Sequence, residues 1–170
     1  HNAQRDGYSV VRKDGRYSVF PRVIREGLRG ARQDFDAVVE IWNGMPFFSP
    51  LWFRGPRSVW LHHVHGEMWQ MTLPGMLGRV GWSIEHQLAP LFYRRSTIAT
   101  LSRSSEEEIH DRLHLRRTEV IPPGISEFYS ASGAKFETPL VVAVGRLVPV
   151  KRFDLLIREF IATRKIVPNA

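Results

Sequence analysis

The chain has no cysteine, which excludes disulfides, thiolate metal sites and a cysteine nucleophile and gives no sign of an oxidising compartment. No apolar run approaches the roughly 20 residues needed to cross a bilayer. The sequence opens with neither Met nor a charged-then-apolar signal pattern, and its ends are read as cut. Internal repeats and low-complexity segments are also lacking. A cytoplasmic location is the default expectation. What is present is enough for a core: 170 residues, 43% of them hydrophobic, with five Trp and ten Phe. The formal charge of +7 arises from 24 Lys and Arg against 17 Asp and Glu, and most of the cations are Arg. Arginine suits forked contacts with phosphate. The partner is therefore expected to be anionic: a nucleic acid, an anionic membrane face or a phosphorylated small molecule.

Short β-rich runs at 36–42, 58–64, 97–101 and 119–121 alternate with segments of helical pattern at 21–32, 76–93 and 102–113. Residues 8–12 and 17–20 alternate weakly around the Lys13-Asp14-Gly15 turn signal, which suggests short extended segments or an irregular connection. Ser102 or Ser104 ahead of Glu106-Glu107-Glu108 fits a helix N-cap with acids on its positive end. Strand–helix alternation of this kind predicts an α/β, Rossmann-like parallel sheet with helices on both faces. After Pro122-Pro123-Gly124 the composition turns to Ser, Gly and Pro without periodicity, so 126–139 reads as a linker. A second unit begins beyond it. Residues 140–144 have the pattern of a buried strand, and 152–165 place Phe153, Leu156, Ile157, Phe160 and Ile161 on one helical stripe. One strand and one helix cannot close a core, so this unit either leans on the first or belongs to a larger domain.

Three constellations could carry chemistry. Gly145-Arg146-Leu147-Val148-Pro149-Val150-Lys151-Arg152-Phe153 is a strand–loop–helix corner with well-separated cations, which suits a diphosphate. The bland alternative is a solvated basic loop. The second is His62-His63-Val64-His65-Gly66-Glu67, at the end of an expected strand, where alternation puts His63 and His65 on one face and His62 on the other. Either two histidines plus Glu67 bind a metal, or one His bonds a sugar or acts as acid or base, or all are structural. Third, Glu40-Ile41-Trp42-Asn43 passes into an aromatic, proline-rich loop. That loop could wall a pocket or touch a membrane through Phe47, Phe48, Trp52 and Phe53, core packing being the alternative.

The run from Leu140-Val141-Val142-Ala143-Val144-Gly145-Arg146 to Phe160 is similar to the opening of the donor domain in glycosyltransferase family 4, the retaining GT-B enzymes. Glu119-Val120-Ile121-Pro122-Pro123-Gly124-Ile125 resembles the family's interdomain segment, with Pro123 where Asn is usual and Ser126 where Asp is usual. Residues 40–51, 61–69, 83–94 and 97–102 look like the acceptor domain of one branch. The resemblance implies a partial acceptor-side domain at 1–125, the linker at 126–139, and the first strand and helix of the donor domain at 140–170. It implies a hexosyltransferase-type enzyme that moves a sugar from a nucleotide diphosphate sugar to an acceptor hydroxyl with retention, with no cofactor and no obligatory metal.

Within that pattern Gly145, Arg146 and Lys151 would hold the donor diphosphate, and His62 or His63 would be the catalytic histidine. Glu40, Asn43, His65 and Glu67 are the acceptor-side candidates. The acceptor would be a sugar, a lipid-linked molecule or a small molecule, with peripheral contact at the inner face of an anionic membrane left open. Nucleic acid is not an expected partner of such an enzyme. The alternative is a basic, polyanion-binding or nucleic-acid-binding α/β module without catalysis, although the aromatics are not interleaved with a cationic strip. A Rossmann-like hydrolase ranks last, since no Gly-x-Ser-x-Gly elbow is present. The family's glycine-rich loop and Glu-x7-Glu motif have no counterpart within these residues. A purified chain limited to them is expected to give no sugar transfer, and robust turnover in a transfer assay would overturn that expectation.

Overall fold

The computed structural model describes residues 2–12, 15, 17–29, 35–130, 133 and 135–169. The chain divides into two compact units, 1–123 and 124–170, each taken by itself below.

The first unit opens with a hairpin, β1 (Asn2–Arg5) against β2 (Tyr8–Val11), antiparallel with Arg5 opposite Tyr8. Asp6 and Gly7 turn it, both at positive φ (50° and 86°). An Asp-Gly pair favours that geometry because the turn then matches the right-handed twist of the strands. The turn expected at Lys13-Asp14-Gly15 falls largely outside the described residues. Helix α1 (Val19–Arg29) begins where the second extended segment was expected.

A four-stranded parallel sheet follows, with β3 (Val38–Trp42), β4 (Arg57–Leu61), β5 (Ile98–Thr100) and β6 (Thr118–Val120) in sequential order. Glu40 pairs with Val59, Val59 with Ile98, and Ile98 with Thr118. The next row runs from Ile41 through Trp60 and Ala99 to Glu119. Between the strands lie α2 (Ser49–Trp52), α3 (Met68–Thr72), α4 (Met76–Ser83), α5 (Ala89–Tyr93) and α6 (Arg103–Glu108). A π turn, Ile84–Leu88, joins α4 to α5 without a break, and a second, Ile109–Leu113, ends α6. Ser102 caps α6 as its sequence suggested, its Oγ accepting from Ser105 N at 3.2 Å.

The core forms on one face of this sheet. Trp42, Val59, Leu61 and Ile98 pack with Phe48, Ala89, Tyr93, Ile109 and Leu113, and with the half-buried Ile24 of α1. Helices on both faces were expected, and here the structure differs. Right-handed crossovers between strands in sequential order all lie on the same side of the sheet. On the opposite side Val39 and Ile41 are 66% and 46% exposed. The architecture is thus α/β with a parallel sheet flanked by helices, and β3 is exposed on the side away from the core.

The aromatic loop after β3 is also core. Phe48, Trp52 and Phe53 are buried, which removes them from any membrane contact. Among the described residues no helix is long and apolar enough to cross a membrane.

The second unit holds a 3-10 turn, Pro149–Lys151, and helix α7 (Phe153–Arg164). The strand expected at 140–144 is not formed. Leu140, Val141, Val142 and Val144 are exposed, because a strand exists only by pairing and no sheet forms among the described residues of this unit.

Glycine is required where α4 packs. A Cβ at Gly81 would lie 2.5 Å from the Trp69 ring, and one at Gly78 would lie 2.9 Å from the Leu73 carbonyl oxygen. Gly81→Ala is therefore expected to cost ~1–3 kcal/mol by overpacking. Gly124→Ala, with nothing within 4 Å of the added carbon, should leave stability unchanged. Denaturant unfolding followed by circular dichroism checks both.

Candidate functional site

In a parallel sheet the carboxyl ends of all strands emerge at one edge, which is where ligands of open α/β sheets bind. At that edge lie Asn43 and Gly44 after β3, His62–Glu67 after β4, and Ser102 after β5. Two buried carboxylates shape it.

Glu40, in β3, is 4% exposed. Its Oε1 accepts from Phe47 N at 2.7 Å and Tyr93 Oη at 2.6 Å, and its Oε2 accepts from Ser49 N at 3.1 Å and from Ser49 Oγ. Burial and the adjoining carboxylate push the Tyr93 phenol far up, so it remains a donor at any ordinary pH. Four donors satisfy this acid completely. They also fold the loop back on the strand, with Phe48 held in the left-handed region at φ 52° and Trp42 Nε1 donating to the Gly44 carbonyl at 2.8 Å.

Glu85, in the first π turn, is fully buried. It accepts from His65 N at 3.0 Å, Gly66 N at 3.1 Å and Trp69 Nε1 at 2.9 Å. Burial alone would raise its pKa, but the donors of His65, Trp69 and Gly66 outweigh it and the carboxyl lies below its ordinary range. His65 Nδ1 and His86 Nδ1 each stand 3.6 Å from it, on either side.

The histidines respond to that anchor. β4 ends at Leu61, short of the expected 64, so the histidines lie in the loop beyond it, where His63 and His65 stack with centroids 4.6 Å apart. The imidazole of His65 rests on Gly44, where a Cβ would come within 3.2 Å of its Nε2. Burial pushes the His63 pKa down, the neighbouring His65 pushes it further down, and Glu85 and Glu108 pull the other way. The net shift is downward, so His63 is a neutral imidazole near neutral pH and able to accept a proton.

His62 is half-buried beside it. Asn43 and Glu67 are exposed, and Glu67 stands at the start of α3. Among the described residues no three His, Asp or Glu side chains are grouped to hold a metal ion. Hollows of about 260 and 230 Å³ are lined by Ser18, Pro21, Arg22 and Arg25 and by the hairpin, and neither is lined by the histidines.

In the second unit Arg146 and Lys151 are exposed, and neither makes an ion pair among the described residues. The third cation of the loop differs, since Arg152 forks onto Asp154 at 3.1 and 3.2 Å. The loop curls tightly. Val148 N donates to the Arg146 carbonyl at 2.9 Å and Lys151 N to the Val148 carbonyl at 2.9 Å. A Cβ on Gly145 would meet the Phe153 ring at 3.4 Å and Lys151 Cγ at 4.0 Å, so the Lys151 stem lies against the residue preceding Arg146.

Comparison of the chain with protein-family models, curated proteins and solved structures gives no match.

Sequence reasoning did not single out Glu85, Trp69 or Tyr93. A signal for Glu85 was present: Gly78, Gly81, Glu85 and Ala89 recur at helical spacing, which makes a lone acid part of a close-packed small-residue face.

His63 is expected to titrate below the ordinary histidine range in an NMR pH series. His65→Ala should raise its midpoint and Glu85→Gln should lower it further. The depressed value means that the unfolded chain binds the proton more readily. His63's contribution to stability is therefore present above the unfolded pKa of about 6.5 and lost as pH falls through the folded value.

Proposed function

We propose that the chain is part of a retaining, nucleotide-diphosphate-sugar-dependent glycosyltransferase of the GT-B kind. The first unit would carry acceptor-side chemistry and the second the loop that holds the donor diphosphate. The observation that carries this reading is the pair Arg146 and Lys151, exposed and without ion pairs among the described residues on one tightly curled loop ahead of α7, while the adjoining Arg152 is committed to Asp154.

Two cations so placed match what the departing group needs. Negative charge grows on the leaving diphosphate as the glycosidic bond breaks, and fixed cations stabilise that charge most when they need not reorganise. On the acceptor side the depressed pKa of His63 supports a neutral imidazole that accepts a hydrogen bond or proton from a sugar hydroxyl. His62 stands next to it as the alternative. Glu85 would act at one remove, fixing the backbone of His65 and Gly66 so that the stacked rings keep their place. Neither residue set calls on a metal. A cytoplasmic location and a sugar, lipid-linked or small-molecule acceptor belong to the same proposal.

The rival, a basic polyanion-binding module, rests on the charge of +7 and predicts no preference for a diphosphate.

Nucleotide binding tests the reading on the protein itself. Titration of the labelled chain with UDP, GDP and ADP is expected to shift the amides of 145–153 for at least one of them, with the monophosphate much weaker. Arg146→Ala and Lys151→Ala should each weaken that binding roughly tenfold or more, the scale of a lost hydrogen bond to a charged group. Shifts that are absent for every diphosphate, or that both variants leave unchanged, would refute the proposal. Tight, steeply salt-dependent binding to duplex DNA in a filter assay would instead support the polyanion module.

A further inference from the structure

The helical segment from α3 to α5 presents an unusual surface. Its buried side is made of Trp69, Gly78, Gly81, Glu85 and Ala89. Its outer side exposes large apolar groups: Met71 (55%), Met76 (79%), Leu77 (60%), Val80 (48%), Leu88 (42%) and Leu91 (61%). The last five lie on one unbroken helical run across the π turn.

The charge on this segment has one sign. Among described residues 68–95 the exposed ionic groups are Arg79, Arg94 and Arg95, and the one acid, Glu85, is fully buried. The exposed acid nearest in sequence, Glu67, sits at the start of α3, the end away from the Pro74-Gly75 turn. Apolar side chains on one helix face, with cations beside and beyond them and no exposed acid, match an interfacial helix, whose side chains enter the acyl boundary while Arg contacts headgroup phosphates.

We propose that the outer face of α3–α5 docks the protein onto an anionic lipid surface, with Met76 and Leu77, beside the Pro74-Gly75 turn, entering the bilayer interface and Arg79, Arg94 and Arg95 pairing with acidic headgroups. A second copy of the chain is disfavoured as the occupant, because a two-fold contact would set the same arginines against one another. The inference stands on this surface alone and does not depend on the transferase reading.

Co-sedimentation of the whole chain with vesicles tests it. Pelleting is expected with phosphatidylcholine mixed with phosphatidylglycerol and not with phosphatidylcholine alone. The double variant Met76→Gln, Leu77→Gln should reduce the bound fraction roughly tenfold, since burial of apolar surface drives insertion. Arg79→Gln should weaken binding about fivefold, the worth of one cation near an anionic surface. All three residues are exposed, and a second double variant, Val80→Gln with Leu91→Gln, gives the same readout should the first fail to fold. The proposal is overturned if no pelleting occurs with either vesicle, or if folded variants pellet as well as the parent. Light scattering that finds a dimer abolished by the Met76, Leu77 variant, without vesicle binding, overturns it in favour of self-association.

Discussion

An ionised carboxylate taken out of water must find its donors inside the protein, because an uncompensated buried charge costs several kcal/mol. Glu85 meets that demand with the amides of His65 and Gly66 and the indole of Trp69. Most of the candidate site follows from this one solution. The amides belong to the loop after β4, so the acid fixes where that loop leaves the sheet and with it the stacked pair His63 and His65. The indole fixes Trp69, whose ring leaves room on α4 only for Gly81. Glu40 applies the same constraint one strand away, drawing 47–49 back over β3 and setting Gly44 against His65.

The two acids explain why the edge is rigid without being closed. Each satisfies several backbone donors that an irregular loop would otherwise bury unpaired, so the loops after β3 and β4 can be short and well packed. The imidazoles remain partly open above them. A site held by anchors beneath it can keep its reactive groups accessible, whereas a site held by its own side chains would spend them.

The strands and most helices were legible in the sequence, because buried-strand runs and 3.6-residue periodicity report one-dimensional facts. Val38–Trp42, Arg57–Leu61, Ile98–Thr100 and Thr118–Val120 each fall within or beside an expected run. The Ser102 cap was legible for the same reason. What failed depended on partners distant along the chain. The run 140–144 has the composition of a strand, yet pairing decides whether a strand exists. Helices on both faces were inferred from alternation alone, while strand order, which alternation does not encode, decides which side each crossover takes. The extended segment expected at 8–12 is present as β2, whereas its pairing with β1 through Asp6-Gly7 was not foreseen.

The site divides along the same line. The histidine cluster and the exposed cations at 146 and 151 were readable as residue patterns, whereas the stacking of His63 on His65 belongs to a loop beyond β4 that alternation does not describe. Glu40 reads in the sequence as an acceptor-side candidate, whereas its four donors make it an internal brace. Glu85 was hidden inside what read as one apolar helix. It lies on the buried face of that helix with Gly78 and Gly81, at ordinary helical spacing. Val80 and Leu88 are exposed on its outer side. One continuous helical run therefore carries the anchor beneath the histidines on its buried side and the apolar strip on its outer side, so a change in how it packs would disturb the two surfaces together.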